Sequence, residues 1–363
     1  MKIQKRKIFI CLVLIAAICL SACACGMPFG NTTTADSTRD IAGKATEDSV
    51  SPRKIIIDTD TGADDASAII YAALQPNVEI LGVTVLAGNV DLEQSAKNAL
   101  AALEQAGCDA PVYKGSDKTY DGTVRNAQSV FGKDGMGDAD LIYPKRQAEE
   151  GDAVDFIIDS VKQDPGEVEI IAIGPATNIA KAIDKDPDAM RNVKRIWSMG
   201  TAGLGPGNAS PLAEFNVYAD APAYKVMLDS GLPITVVGLD MCDGGAKWTN
   251  DQFEQLSDSS NIGEFVAKSF DKLRVFYKGN GDDTVMNCDA LAMMCALCPG
   301  FVKSTVNTHA SCITEEGEAY GGVLFYKEGF TYDNVKNDYD YSVVLVTGVD
   351  SAMYFNNYLG AVS

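Results

Sequence analysis

The sequence is poor in histidine and in positive charge. His309 is the single histidine among 363 residues, so any mechanism that needs two imidazole groups is excluded. Lysine and arginine number 30 against 50 aspartate and glutamate residues, and the net charge is −20. Nucleic acid and an anionic membrane surface are therefore poor partners for the folded part, whereas a cation or a small molecule is well matched to it.

Long apolar runs are also scarce, and the clearest one lies at the N-terminus. The run Ile8 to Leu20 follows four cationic residues, has signal-peptide length and is too short for a spanning helix. It ends in Leu20-Ser-Ala-Cys23, which resembles a bacterial lipobox. We expect residues 1–22 to be a lipoprotein signal peptide and Cys23 to carry the lipid. A simple secretory signal or an uncleaved anchor would also export the chain.

Residues 23–52 are rich in Asn, Thr, Ser, Asp and Gly, which predicts a flexible tether. The expected location is the outer face of the bacterial cytoplasmic membrane, or the periplasm or outer membrane where the cell has one. Residues 53–363 show no linker and no internal repeat, so we expect one domain. Its cysteines show no small-scaffold spacing, and Cys295-x-x-Cys298 lies in an apolar run without a second pair, which favours helix packing over zinc.

Within residues 53–363, short β-branched runs alternate with helical patterns. This alternation predicts an α/β fold with a largely parallel, partly mixed sheet flanked by helices. The predicted strands are 55–57, 80–86, 168–173, 193–198 and 234–239, with further β-strands within 305–346. The predicted helices are 66–74, 92–103, 178–183, 221–229, 262–277 and 289–297. In such sheets, ligands bind at the carboxyl ends of the strands.

The loop after the first strand carries the clearest chemical signal. Asp58-Thr-Asp60-Thr-Gly-Ala-Asp64-Asp65 places four carboxylates between a strand end and a helix start. Two like charges about 4 Å apart repel by roughly 4 kcal/mol at an effective dielectric of 20. A helix N-terminus offsets only about 0.3–1 kcal/mol of this. Several ionised groups together therefore need a cation, and oxygen ligands select Ca²⁺ or Mg²⁺.

This octapeptide, preceded by Lys-Ile-Ile-Ile, closely resembles the N-terminal signature of the inosine-uridine-preferring nucleoside hydrolases. Further segments resemble motifs of that family in the same order: Ala87-Gly-Asn89, Gly174-Pro-Ala-Thr-Asn-Ile-Ala180, Gly207-Asn-Ala209, Ala213-Glu-Phe-Asn216, Asp220-Ala221 and Val237-Gly-Leu-Asp240. The resemblance runs from about residue 54 to the C-terminus and implies a Rossmann-like nucleoside hydrolase fold. It also implies a homodimer or homotetramer.

The resemblance implies calcium-dependent cleavage of the N-glycosidic bond of ribonucleosides to base and ribose. Calcium would be held by Asp60, Asp65, Asp289 and the carbonyl of Ile173, with Asp60 also acting as general base. The ribose hydroxyls would be bound by a second set of polar groups: Asp64, Asn89, Asn208, Glu214 and Asn216. Such a carboxylate-rich pocket suits an oxocarbenium-like transition state. The implied partner is a small nucleoside, and the implied role is nucleoside salvage outside the cell.

One position departs from the family pattern. Many members carry a histidine before the last calcium aspartate, where it helps protonate the departing base, but this sequence reads Asn287-Cys288-Asp289. A free thiol is mostly protonated at pH 7, so Cys288 is a candidate proton donor, with a buried filler as the alternative. His309 is expected in a strand with a surface or packing role. Phe276 and Tyr277 are expected either to stack on the base or to pack within the fold. The preference for purine or pyrimidine bases stays open.

Two other function classes deserve comparison. A haloacid-dehalogenase-type phosphatase also begins with a strand and Asp-x-Asp, but Asp64-Asp65 and the Glu214 segment do not fit it. A non-catalytic nucleoside- or ribose-binding lipoprotein of an uptake system would keep the pocket and lose the chemistry. The retained base Asp60 and the metal carboxylates favour the hydrolase over the binder, and turnover distinguishes them.

Overall fold

The computed structural model describes residues 51–329, 331 and 339–363. The predicted signal peptide, the lipidation residue Cys23 and nearly all of the tether lie outside these ranges. All described residues belong to one compact unit, residues 44–363. Over the described ranges, no helix combines the length and apolarity that crossing a membrane requires.

A ten-stranded sheet forms the centre of the domain, in the order β11-β10-β12-β7-β6-β5-β1-β2-β3-β4. Its strands are β1 (Arg53–Thr59), β2 (Val78–Val85), β3 (Val112–Lys114), β4 (Glu149–Asp152), β5 (Glu169–Ala172), β6 (Arg195–Met199), β7 (Ile234–Val237), β10 (Val302–Cys312), β11 (Val323–Lys327) and β12 (Val343–Val349). Among the described strands of this sheet, β10 pairs antiparallel with β11 and β12, and the other pairings are parallel. Two short strands, β8 (Trp248–Thr249) and β9 (Thr284–Val285), pair separately. The predicted largely parallel, mixed sheet is confirmed.

Helices cover both faces of the sheet. They are α1 (Ala63–Ala73), α2 (Leu92–Gln105), α3 (Gln128–Phe131), α4 (Ala153–Gln163), α5 (Thr177–Lys185), α6 (Pro187–Met190), α7 (Phe215–Ala219), α8 (Ala221–Asp229), α9 (Leu239–Asp243), α10 (Asn250–Ser259), α11 (Asn261–Ser269), α12 (Asp271–Gly279), α13 (Cys288–Leu297) and α14 (Ser351–Val362). Side-chain alternation in β1 divides the core, because Ile55 and Ile57 join one apolar cluster and Ile56 joins the other.

Chain order reverses at β1, which locates the site. The chain proceeds from β1 outward through β2, β3 and β4, then returns to the other side of β1 through β5, β6 and β7. The carboxyl ends of β1 and β5 therefore border a crevice at the topological switch point, where ligands bind in open α/β sheets. The acidic loop leaves β1 at this crevice.

Two helix predictions were wrong in detail. Helix α1 begins at Ala63, three residues earlier than predicted, so Asp64 and Asp65 lie in its first turn. The helix predicted over 262–277 is two helices, α11 and α12, that meet at Phe270. The Phe270 ring is fully buried beside Trp248, and Gly137 packs directly on the main chain of Ser269. Tertiary packing therefore interrupts a continuous helical pattern.

The C-terminal region contains the predicted strands β10, β11 and β12, followed by helix α14, which the sequence pattern did not predict. His309 lies on β10 opposite Tyr326, and its ring stacks on Tyr339 at a centroid distance of 4.5 Å. The expectation of a packing histidine in a strand is confirmed.

Candidate active site

Asp60 lies at the bottom of the crevice, enclosed by glycine backbone. A Cβ atom at Gly88 would lie 2.1 Å from Asp60 Oδ2, and one at Gly174 would lie 2.8 Å from Asp60 Oδ1. Both glycines follow sheet strands, so the motifs Ala87-Gly88-Asn89 and Gly174-Pro175 bring main chain close to the carboxylate. The Asn89 N–H donates to Asp60 Oδ2 at 2.6 Å, and Asp60 Oδ1 is buried with no protein partner.

Asp65 is fixed by three hydrogen bonds from its own loop and the neighbouring one. Thr59 Oγ1 donates to Asp65 Oδ1 at 2.6 Å, and the Gly62 N–H donates to Oδ2 at 2.9 Å. Asn89 Nδ2 donates to the same Oδ2 at 3.0 Å. Asn89 therefore bonds Asp60 through its main chain and Asp65 through its side chain. This arrangement fixes the relative position of the two carboxylates.

Three carboxylates from two helices converge above this loop. One oxygen each from Asp64, Asp65 and Asp289 lies within 4.8 Å of the others. Asp64 and Asp65 belong to the first turn of α1 and Asp289 to the first turn of α13, and these two helices pack together. The structure thus brings the predicted ligands Asp65 and Asp289 together. It adds Asp64, which the sequence placed with the sugar, to the same cluster, and Asp60 lies outside this set of three.

The carboxyl groups of this cluster resist ionisation together. Burial raises the pKa of Asp60, Asp64 and Asp289 well above the usual range, and the charge of a neighbouring aspartate raises each of them further. Burial also raises the pKa of Asp65, against the effect of its hydrogen bonds. A positive charge in the cluster would reverse these shifts, because it favours the ionised form.

The residues present fit a hard divalent cation. Asp60 Oδ1 and Asp64 Oδ1 are buried without protein partners, an arrangement that is costly unless an ion or solvent satisfies them. The donors are all oxygen atoms, which Ca²⁺ and Mg²⁺ prefer. Ile173 lines the same pocket, and its carbonyl accepts from Asn216 Nδ2 at 3.1 Å, which leaves one lone pair available.

A pocket of about 170 Å³ opens above the acidic cluster. Its polar wall contains all five residues predicted to bind the sugar: Asp64, Asn89, Asn208, Glu214 and Asn216. Four of them are buried and Asn208 is exposed at the mouth. Glu214 caps α7 by accepting from the Asn216 N–H at 2.9 Å, and burial raises the pKa of Glu214 to about 7. The pocket therefore presents directional hydrogen-bonding groups beside the cation site.

The apolar side chains that line the pocket are called the apolar wall, and the sequence predicted only some of them. Phe276 and Tyr277 of α12 line it, as does Cys288 at the start of α13. The remaining apolar lining residues were not predicted: Ala127, Val130, Phe131, Met199, Ala209, Phe215, Leu239, Leu273 and Met286. They come from many separate elements, so no local pattern marks them. His309 is not a lining residue of this pocket.

The chain is similar in sequence to known nucleoside hydrolases. Residues 55–356 match the family model described as inosine-uridine preferring nucleoside hydrolase. Uridine nucleosidase 1 of Arabidopsis thaliana is 42% identical over 219 residues, which are 60% of this chain and 62% of that protein. The pyrimidine-specific ribonucleoside hydrolase RihB of Escherichia coli is 38% identical over 190 residues, 52% of this chain and 60% of that protein. The matched segments thus span about three fifths of each relative.

Solved structures match over nearly their whole length. A plant nucleoside hydrolase has a TM-score of 0.80 and 29% identity, covering 86% of this chain and 99% of that chain. A purine-preferring ribonucleoside hydrolase from Gardnerella vaginalis has a TM-score of 0.78 and 30% identity, covering 85% and 98%.

Proposed function

Because this chain belongs to the inosine-uridine preferring nucleoside hydrolase family, we propose that it hydrolyses the N-glycosidic bond of ribonucleosides to free base and ribose with calcium as cofactor. The observation that carries this proposal is the convergence of Asp64, Asp65 and Asp289, of which Asp64 and Asp289 line a pocket that also presents polar and apolar side chains. The polar side chains can form hydrogen bonds with the hydroxyls of a ribose, and the apolar side chains can pack against a flat base.

Asp60 is the proposed general base. Its Oδ2 is held by the Asn89 N–H, whereas its Oδ1 is free to accept a proton from water. Burial raises the pKa of Asp60, which increases the basicity of the carboxylate once it is ionised. A bound calcium ion would supply positive charge that keeps nearby carboxylates ionised and lowers the pKa of water in the site.

The sugar-binding residues would orient the ribose and stabilise the positive charge that develops on it in the transition state. Buried carboxylates near the ring stabilise an oxocarbenium-like sugar, as in glycosidases. Asp64 Oδ1 has no protein partner, so it is available to accept from a ribose hydroxyl or to bind the cation. Asn89 and Asn216 are fixed by bonds to other parts of the site, which gives the pocket its preorganised geometry.

Cys288 is the proposed proton donor to the departing base. Cys288 lines the pocket, and a hydrogen bond with Cys242 together with burial raises the pKa of Cys288, so the thiol carries its proton at neutral pH and is a weaker acid than a free cysteine. Cys288→Ala is expected to lower kcat roughly 10- to 100-fold for bases that need protonation and to leave other substrates unchanged. Steady-state kinetics on several nucleosides measures this. Cys295→Ala, a buried thiol of the same helix, is the matched control. Unchanged rates for every base would establish Cys288 as a filler.

Pyrimidine ribonucleosides are the proposed preferred substrates. Relatives named as uridine or pyrimidine enzymes are 36–42% identical to this chain over 52–60% of its length, which supports this proposal. The direct test is release of base and ribose from a panel containing uridine, cytidine, inosine and adenosine. Release from uridine at the highest kcat/KM supports the assignment, and a highest value for inosine reverses it.

Calcium binding should also appear as a pH-dependent gain in stability. Burial raises the pKa of Asp58 and Glu214 to about 7, so the folded, metal-free protein loses stability as pH rises from about 4 through 7. Millimolar calcium is expected to raise Tm by roughly 5 °C at pH 7.5 and by much less at pH 5. Calorimetry of chelator-treated protein measures both values. The Asp289→Asn variant should show no rise in Tm with calcium. An equal rise in Tm at pH 7.5 and pH 5 in the wild type would contradict the assignment of the calcium site.

The last part of the proposal is that a lipid on Cys23 anchors the enzyme outside the cell. The lipobox-like Leu20-Ser-Ala-Cys23 supports lipidation of Cys23 and location on the outer face of the membrane, where nucleoside salvage would begin. Cys23→Ser is expected to abolish incorporation of labelled fatty acid and to release the protein from the membrane fraction. Retained labelling in this variant would exclude Cys23 as the lipidated residue.

A further inference from the structure

Helix α14 places two buried tyrosine hydroxyls against the helices that carry the acidic cluster. Tyr354 and Tyr358 are four residues apart on α14, so they share one face of that helix. The Tyr354 hydroxyl donates to the main-chain carbonyl of Asn287, and the Tyr358 hydroxyl donates to that of Ser67 at 3.0 Å. Both side chains are at most 1% exposed.

The two acceptors lie close to the cluster in sequence. Ser67 follows Asp65 by two residues on α1, and Asn287 precedes Asp289 by two residues at the start of α13. Their side chains also meet, with Ser67 Oγ 2.9 Å from Asn287 Oδ1. α14, α1 and α13 are therefore joined by a closed ring of hydrogen bonds.

The tyrosine rings are held by an aromatic cluster. The ring centroid of Trp248 lies 5.6 Å from that of Tyr354 and 4.8 Å from that of Tyr358, and Trp248 is fully buried. Phe253 and Phe270 complete the packing around the indole. Because a close-packed cluster allows little movement, the two hydroxyls have nearly fixed positions.

We propose that Tyr354 and Tyr358 are positioning residues that set the spacing of the acidic cluster and thereby its affinity for a divalent cation. The inference rests on the metal site of the proposed function. Three oxygens from two helices form the cluster, so its geometry depends on how the N-termini of α1 and α13 sit against each other. Like charges separate these helix ends, whereas the hydrogen bonds from α14 hold them in place. Metal–ligand distances in a formed site lie within about 0.2 Å of their usual values, so a shift of one helix end against the other changes the affinity.

The test measures calcium affinity of the full chain by competition with a chromophoric chelator. Tyr354→Phe and Tyr358→Phe keep the rings and remove one hydroxyl each, and each is expected to raise the Kd for calcium roughly three- to tenfold. The matched control is Tyr71→Phe, because Tyr71 is also buried, stacks on Tyr358 and directs its hydroxyl to Cys298 at the other end of α13. Its Kd should equal that of the wild type.

The melting temperatures of the three variants in chelator show whether a substitution changes the calcium site or only lowers the stability of the fold. Wild-type affinity in both α14 variants, with lowered Tm in all three, would overturn the inference and leave the metal site intact. Absence of calcium binding by the wild type would overturn the metal site itself and the inference with it.

A second measurement serves if a variant fails to fold. Trp197→Phe leaves Trp248 as the single tryptophan of the chain. Because Tyr354 and Tyr358 join the rings around Trp248 to the helices of the acidic cluster, the charge that saturating calcium adds there should shift Trp248 emission in this variant. An unchanged emission spectrum at saturation would overturn the proposed link between the cluster and α14.

Discussion

Replacing Asp60 with asparagine is expected to lower kcat roughly 10²- to 10⁴-fold on every nucleoside. Asparagine keeps the shape of the side chain and can still accept the Asn89 N–H, but it cannot take a proton from water. The free Oδ1 of Asp60 is the atom that would do so. Single-turnover kinetics with uridine at saturating calcium measures the chemical step, and titration with a chelator separates any loss of calcium affinity from the loss of the base.

Asp58→Asn is the matched control for this variant. Asp58 is also fully buried at the end of β1, and its Oδ1 accepts from Thr84 and Asn178, bonds that an amide oxygen can keep. Its kcat should fall less than about tenfold, because no neighbouring carboxylate contributes to the raised pKa of Asp58, whereas Asp65 and Asp64 raise that of Asp60, which places Asp60 and not Asp58 beside the acidic cluster. Equal losses in Asp58→Asn and Asp60→Asn, or full activity in Asp60→Asn, would remove Asp60 from the base role.

Removing one ribose hydroxyl from the substrate is expected to lower kcat/KM roughly 10³- to 10⁵-fold. A site built to hydrogen-bond a hydroxyl leaves buried polar groups unpaired when that hydroxyl is missing. The polar wall here is of this kind, because Asp64, Asn89, Glu214 and Asn216 are buried and face the pocket. Competition between uridine and 2′-deoxyuridine measures the ratio directly.

A variant of the polar wall provides the control for this ratio. Asp64→Asn keeps the volume and removes the charge of the unpartnered Oδ1, so the discrimination between uridine and 2′-deoxyuridine should narrow by at least about tenfold. Comparable kcat/KM values for the two nucleosides in the wild type would contradict the assignment of this wall to the sugar.

The acidic loop and the strand before it could be predicted from the sequence because their residues are contiguous in the chain. Asp58 to Asp65 lie in one strand-turn-helix segment, where a buried strand and an Asp/Gly turn identify the site directly. The resemblance added Asp289, which is distant in sequence and meets Asp65 only through the packing of α13 on α1. The sequence placed Asp64 among the crowded carboxylates, whereas the resemblance assigned it to the sugar; its position beside Asp65 and Asp289 follows from α1 beginning at Ala63.

The apolar wall and the support from α14 could not be predicted. Leu239, Leu273 and Met286 meet only in the folded chain, and each one alone has the pattern of an ordinary core residue. Likewise, Tyr354 and Tyr358 look like packing residues in the sequence, and only their hydroxyl contacts with Asn287 and Ser67 connect them to the cluster.

The most direct test of the account is ribose release by the purified protein from uridine with calcium, after chelation, and after calcium is restored. The account predicts stoichiometric base and ribose with calcium, loss of turnover in chelator and recovery on calcium addition. Saturable uridine binding without release of ribose under any of these conditions would contradict it and would identify a nucleoside-binding protein instead.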